Sequence, residues 1–224
     1  MFKNFFNKLH ILHSIYIKHK FFIKKKSYSL HNEDLEVIKY FRNKRNGFYV
    51  DVGCYHPIYR NNTHLLYRQK WNGINIDTSQ FSIDLFNYMR PDDLNYKFAV
   101  SNQKEILKLF YQKEISQLST TDYHQAKKVF QGRIKEKEIQ AFSLDEILSR
   151  DKYNNSKIDF LDIDVEGADL NVLKGLSFNK FKPELICIEI NDRIVKESEI
   201  YKFLVYRNYE LIWSGLFSHI FRMK

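Results

Sequence analysis

From Gly47 onward the chain alternates short β-rich runs with helix-like segments, and this alternation restricts the fold more than any other feature. Phe48-Tyr49-Val50-Asp51-Val52 reads as a strand that ends in a turn at Gly53. Residues 63–70 read as a helix, 74–76 as a strand, 79–89 as a helix stopped before Pro91, and 96–100 as a strand. Two strand-like runs follow at 106–111 and 134–142, around a polar stretch, and then a short helix at 144–148. The pattern resumes with a strand at 158–163, a helix at 168–174, a strand at 185–190 and a helix at 198–206. Strands separated by helices need crossover connections, and these place the strands in parallel. The last two runs, 210–213 and 219–222, are joined by a few residues around Gly215, which suits only an antiparallel hairpin. The predicted fold class is therefore α/β, a doubly wound, mostly parallel sheet with an antiparallel C-terminal edge hairpin.

Composition supports one sizeable core: 44% of the 224 residues are hydrophobic, with only seven Gly and three Pro. No internal repeat or linker marks a second folded unit. The formal charge of +9 is concentrated in residues 1–26, which hold Lys3, Lys8, Lys18, Lys20, Lys24, Lys25 and Lys26 and no acid. The rest of the chain is close to neutral, which argues against a dedicated nucleic-acid binder with a basic track across its surface. On a helical wheel Phe2, Phe5, Phe6, Leu9, Leu12, Tyr16 and Ile17 share one face, while Lys3, Asn7, Lys8, Ser14 and Lys18 lie opposite. Ile11 and Ile15 fall at or inside the polar side. The organisation expected is a basic amphipathic leader helix within residues 1–30, then a domain over 31–224 that opens with a helix at 33–41 capped by Asn32.

Two uses of the leader stay open. A basic amphipathic helix suits peripheral attachment to an anionic membrane surface through residues 1–26. It equally suits packing of the Phe2, Phe6 and Leu9 face on the domain or on a second subunit. The longest apolar stretch, residues 9–17, is too short and too polar to span a bilayer, and no small-residue cleavage site follows it. Cys54 and Cys187, far apart in apolar company, suggest two buried reduced thiols and neither a zinc site nor a disulfide. A cytoplasmic protein is expected, at the inner membrane surface if the leader binds lipid, and its oligomeric state is left open.

Three constellations can carry chemistry. Asp51 and Gly53 sit at the end of the first core strand, where a doubly wound sheet binds ligands. The phosphate-cradling G-x-G-x-x-G is absent, because Gly53 is followed by Cys54-Tyr55-His56-Pro57; a nucleoside without a pyrophosphate fits this turn better. Asp77 closes the next core strand, near the spacing at which an acid accepts from ribose hydroxyls, although a helix cap is the alternative reading. Asp162, Asp164 and Glu166 alternate with apolar residues, so extended backbone would project all three to one side. Clustered carboxylates raise one another's pKa and can yield a general base, hold a divalent cation, or complement a helix dipole.

Val50-Asp51-Val52-Gly53, Ile76-Asp77, Ala99-Val100-Ser101, Ser143-Leu144-Asp145, Ile163-Asp164-Val165-Glu166-Gly167-Ala168 with Val172-Leu173-Lys174-Gly175, and Pro183-Glu184-Leu185-Ile186-Cys187-Ile188-Glu189 follow one another in this order. Over residues 47–209 this series resembles the FkbM-type methyltransferases. The resemblance implies a class I, Rossmann-like fold and S-adenosylmethionine as cofactor. Family members usually act on a hydroxyl oxygen, often of surface-polysaccharide sugars or natural products. It also implies that Asp51 and Gly53 wall the methionine part of the cofactor, that Asp77 holds the ribose hydroxyls, and that Ala99-Val100-Ser101 flanks the adenine. Asp164 and Glu166 would face the substrate. Two departures stand out. The turn after Gly53 is bulkier than the family's, and Asp162 occupies a position that is often basic there.

Transfer to a hydroxyl needs alignment and a base. Asp164 is the expected base, with Glu166 orienting the acceptor and His56 as second candidate, since imidazole titrates near neutral pH. Glu189, Asn191 and Asp192 read as solvated loop polars with some reach toward an acceptor. Tyr55, Tyr59 and Trp71 could stack on a sugar, Trp71 more naturally in packing, and residues 116–121 form an acceptor-side loop. No metal is predicted, although the acidic cluster leaves a divalent cation open. The expected partner is a saccharide or similar small acceptor. The alternatives are methylation of RNA or protein by the same fold, or a membrane-surface binding protein that keeps the nucleotide fold without activity.

Overall fold

The structure, a computed structural model, describes residues 2–113, 116–150, 154 and 156–224, with side chains from residue 5 onward. Its strands are β1 (Phe48–Val52), β2 (Asn72–Asp77), β3 (Leu94–Lys97), β4 (Ala99–Val100) and β5 (Glu105–Tyr111). They continue with β6 (Lys135–Phe142), β7 (Phe160–Ile163), β8 (Leu185–Glu189), β9 (Tyr209–Ser214) and β10 (Ser218–Met223). The main sheet runs β3-β2-β1-β7-β8-β10-β9. Its first five strands are parallel, and β10 is antiparallel to both neighbours, as the short connection at Gly215 requires. The doubly wound sheet and its edge hairpin thus appear as predicted. The helices between the strands include α3 (His64–Arg68), α4 (Gln80–Met89), α6 (Leu144–Arg150), α7 (Asp169–Lys174) and α8 (Glu199–Tyr206). Ahead of the sheet come α1 (Phe2–Leu12) and α2 (Glu33–Tyr40), and α5 (Tyr123–Val129) sits between β5 and β6.

Apolar side chains on both faces of the central strands explain why these read as unbroken hydrophobic runs. Val50, Val52, Ile74, Ile76, Leu161, Ile163, Ile186 and Ile188 fill one face, packed under α6, α7 and α8. Tyr49, Phe160, Leu185 and Cys187 fill the other, against Val37, Leu66 and Trp71. Trp71 is buried edge-to-face on Phe41, a packing role and not a sugar platform. Both cysteines are free and buried.

One strand divides differently from the sequence reading. Residues 94–97 stay in the main sheet, but the chain swings away at Phe98. Ala99–Val100 instead pairs with β6 in a small sheet of order β4-β6-β5. The register sets Ala99 beside Ala141, and two methyl side chains allow that close seat. Asn32 also departs from expectation: it takes a left-handed conformation and its side chain makes no cap bond. Asp34 orders that entry instead, accepting from the Tyr28 amide and from the Ser27 and Ser29 hydroxyls.

The leader docks the opposite way round from its wheel. Ile11 and Ile15, on the polar side, are the residues buried against Ile58 and Leu85. Asn7 donates to Asp84 at 2.8 Å, His10 stacks on Phe81 at 4.2 Å, and a π-helical turn over His13–Lys18 brings Ser14 to His56. Phe5, Phe6, Leu9, Leu12 and Ile17 face outward. The expectation that Phe6 and Leu9 pack on the domain is therefore corrected. The Phe2 and Lys3 side chains lie outside the described residues.

Candidate active site

From β1 the chain winds outward to β2 and β3 on one side and to β7 and β8 on the other, so the switch point lies between β1 and β7. A cleft opens there at the carboxyl ends of the strands, lined by Gly53, Asp77, Phe98, Val100, Leu109 and Asp164 among others.

Gly53 shapes the cleft floor for a reason the sequence did not disclose. Its φ is +84°, and a Cβ at this position would lie 1.8 Å from the Asp164 carbonyl oxygen. The residue is glycine because two strand ends meet, β1's turn against the backbone leaving β7. The bulky turn that follows serves Asp77: the Tyr55 amide donates to Asp77 Oδ2 at 2.9 Å and the Ser79 amide to Oδ1 at 2.7 Å. Asp77 thus organises the turn into α4 and also lines the cleft, so the cap and the ligand-facing readings coexist. Burial pushes its carboxyl up to about 6, against the pull of those amides. A carboxylate has room for further donors beyond two. With Ile76, Phe98, Val100 and Leu109 as apolar walls, this acceptor suits a sugar bearing vicinal hydroxyls joined to a flat base.

Asp164 stands at the junction with a second cavity, which Glu166, Glu189, Asn62, Asn191, Gln125 and Phe217 help to line. Arg60 and Gln117, hydrogen-bonded to each other at 2.7 Å, line both spaces. The loop before Glu166 is held by Asp169, whose carboxylate accepts from the Val165 amide at 3.1 Å and the Gly167 amide at 3.0 Å. Glu166 itself is left-handed, with φ of +57°, so the chain turns where the alternating pattern assumed extension. Thr120, from the predicted acceptor-side loop, ties down its carbonyl at 2.6 Å.

The electrostatics of this cavity are those of crowded acids with few counter-charges. Burial and the charge of Asp169 raise Glu166 to about 7, opposed by a hydrogen bond from Gln125. Burial and the charges of Asp169 and Glu166 raise Glu189 to about 8. Its Oε2 has no partner. Asp164 is also raised, first by the desolvating walls around it and then by Glu189 and Glu166. Because its side chain stays open at the cleft mouth, solvent damps that shift.

Of the residues predicted for the site, Gly53, Asp77, Asp164 and Glu166 come together here. Asp51, Ser101 and His56 do not line either space. Asp51 is sealed on the far face of the sheet, accepting from Thr63 Oγ1 at 2.7 Å and Asn61 Nδ2 at 3.1 Å, beside the buried Arg90. Asp162 pairs in register with Asp51 on that face and accepts from Asn62 at 3.1 Å. It does not line the cavity that Asp164 and Glu166 share, although its charge is felt at Asp164. Ser101 donates to Glu105 at 2.7 Å, leaving Ala99 and Val100 as the cleft wall from that segment.

His56 lies under the leader. Its Nδ1 accepts from the Ile58 and Tyr59 amides, both at 3.1 Å, and its ring packs against His19. Burial and the nearby charges of His19 and Lys18 lower it to about 2, so it stays neutral and far from proton exchange at neutral pH. Gln125 and Asp169 are contributors that sequence reading passed over, whereas Glu189, read there as a loop polar with some reach toward an acceptor, lines the second cavity. Asp169 carried no signal, because its task depends on the turn. Among the described residues, no group of three or more His, Cys, Asp or Glu is placed to hold a metal ion.

The sequence matches the family described as Methyltransferase FkbM domain over residues 51–211. The chain belongs to the FkbM methyltransferase family. A solved structure of methyltransferase FkbM from Methylobacillus flagellatus KT superposes with a TM-score of 0.52 at 13% identity, covering 83% of this chain. The chain spans only 47% of that protein, so the likeness concerns the fold. A TehB-like SAM-dependent methyltransferase from Corynebacterium glutamicum gives a TM-score of 0.41 at 12% identity, covering 99% of this chain and 97% of its own. No curated protein matches the sequence.

Proposed function

We propose that this FkbM-family chain is an S-adenosylmethionine-dependent O-methyltransferase acting on a hydroxyl of a saccharide or similar small polyhydroxylated acceptor. One observation carries the reading: Asp164 lines both a cleft that holds Asp77 among apolar walls and an adjoining cavity lined with acids and amides. We assign the reaction to residues 31–224 and leave the leader, residues 1–30, outside it.

When bound, S-adenosylmethionine supplies an electrophilic methyl group. Asp77 would accept from its ribose hydroxyls, and Ile76, Phe98 and Val100 would sandwich its base. In the adjoining cavity Asn62, Asn191 and Glu189 would bind acceptor hydroxyls and fix one oxygen in line with the methyl carbon. Asp164 would take the proton of the attacking hydroxyl as the methyl–sulfur bond breaks and the sulfonium leaves as a neutral thioether, with Glu166 sharing the hydrogen bond. A base must be ionised to act, and burial with the neighbouring acids Glu189 and Glu166 holds the Asp164 carboxyl above the usual carboxylate range, so turnover should rise with pH. Carboxylates at the cavity mouth repel phosphates, which favours a neutral acceptor over RNA. Cytoplasmic work is part of the reading, since Cys54 and Cys187 are free thiols.

Transfer of labelled methyl from S-adenosylmethionine to a panel of sugars tests the proposal. An alkali-stable methyl ether is expected, and Asp164→Asn should lower the rate about 10²–10⁴-fold. An alkali-labile methyl ester on protein, or label in RNA, would replace the saccharide reading.

A further inference from the structure

The leader leaves its most apolar surface without a partner. Phe6 is 64% exposed, Ile17 65% and Phe22 71%, and Phe5, Leu9 and Leu12 are open beside them. These side chains are not on a loose tail. Ile11 and Ile15 dock on Ile58 and Leu85, Asn7 bonds Asp84, and the Tyr16 and Tyr88 hydroxyls lie 3.4 Å apart. Docking through two isoleucines, and not through the aromatic face, aims that face at the surroundings. An apolar surface of this kind on a folded protein marks an interaction site.

The charge around the apolar face selects the occupant. Lys8, Lys18, Lys20, Lys24, Lys25 and Lys26 are exposed in the same segment, which holds no acid. A second copy of the chain meeting this face symmetrically would set lysine against lysine. Protein interfaces are depleted of lysine, whereas an anionic lipid surface attracts it and accepts aromatic and aliphatic side chains at headgroup depth. Among the described residues no helix is long and apolar enough to cross a membrane, so the contact is peripheral. We propose that the outward face of residues 5–26 binds an anionic lipid surface, with Phe5, Phe6, Leu9, Leu12, Ile17 and Phe22 inserted and the lysines at the phosphates. The turn after β1 would then lie close to the lipid: His56 touches the leader, while its neighbour Tyr55 lines the cleft. The inference rests on the leader alone and does not depend on the proposed chemistry.

Co-sedimentation of the full chain with vesicles tests it, using phosphatidylcholine alone and phosphatidylcholine with a quarter of phosphatidylglycerol. Binding to the anionic vesicles is expected, at least tenfold stronger than to neutral ones. The exposed triple change Phe6→Ser, Leu9→Ser, Ile17→Ser should reduce it more than tenfold. Lys24→Glu, Lys25→Glu, Lys26→Glu should reduce it about a hundredfold, each lysine near anionic lipid contributing roughly a factor of five. Absence of vesicle binding, equal binding to neutral vesicles, or unchanged binding by either variant would overturn the proposal. A dimer that the serine variant dissociates, without vesicle binding, would assign the face to a second copy.

Discussion

Two sets of acids stand toward the carboxyl ends of the strands of one sheet and meet opposite fates. On one face Asp51 and Asp162 lie in register, sealed under residues 56–64 and satisfied by Asn61, Thr63 and Asn62. On the other side of the strand ends Asp77, Asp164, Glu166 and Glu189 open onto two joined spaces, and Glu189 keeps an oxygen without a partner. All are raised above the usual carboxylate range by burial, so the shift alone does not tell a structural acid from a reactive one. Partnership and access do. A carboxyl whose lone pairs are filled by neighbouring side chains is part of the scaffold, and one left open toward a cavity is available to a ligand.

The comparison is broken most strongly by exchanging what each set should cost. Asp51→Ala takes a buried acceptor from the Thr63 hydroxyl and the Asn61 amide and removes the carboxyl beside the buried Arg90. The expected loss is about 3–5 kcal/mol, read as a Tm lower by roughly 6–20 °C. Glu166→Gln, by contrast, should leave Tm within about 2 °C while turnover falls. A stable Asp51→Ala protein, or a melted Glu166→Gln protein, would erase the distinction.

A smaller effect sharpens it. Glu166 at about 7 and Glu189 at about 8 bind protons in the folded state that the unfolded chain has already lost above pH 6.5. Their folded values are raised, so stability should fall as pH climbs from 6.5 to 8. Below 6.5 the opposite sign enters. His19, at about 4, and His64, at about 3, stay neutral when folded and take up protons on unfolding. Melting scans should therefore show a slope between pH 6.5 and 8 that the double change Glu166→Gln, Glu189→Gln flattens. A slope unchanged by that substitution would place the protons elsewhere.

The sheet was legible because buried parallel strands must be apolar on both faces and must be separated by crossovers. Phe48–Val52, Phe160–Ile163 and Leu185–Glu189 show this directly. What a period cannot convey is where it stops. Asp162 and Glu166 read as neighbours on one side only if the backbone stays extended, but the strand ends at Ile163 and Glu166 turns left-handed. Gly53 was legible as a special position, yet its neighbour is the Asp164 carbonyl, which only the register of β1 and β7 supplies. In the leader the wheel ranked the two faces by total apolarity. Docking was decided by two isoleucines that fit between Ile58 and Leu85. Local shape overrode the average, and the larger apolar face was left outside.

The nucleoside site proposed for the methyl donor is the cleft at the carboxyl ends of the strands around β1, floored by Gly53 and sided by Asp77. Titration calorimetry with S-adenosylmethionine tests it most directly. The folded chain should bind, Asp77→Ala should weaken binding at least tenfold, and Glu166→Gln should bind as the parent does. Absence of binding by the parent chain, or equal binding by Asp77→Ala, would contradict the account.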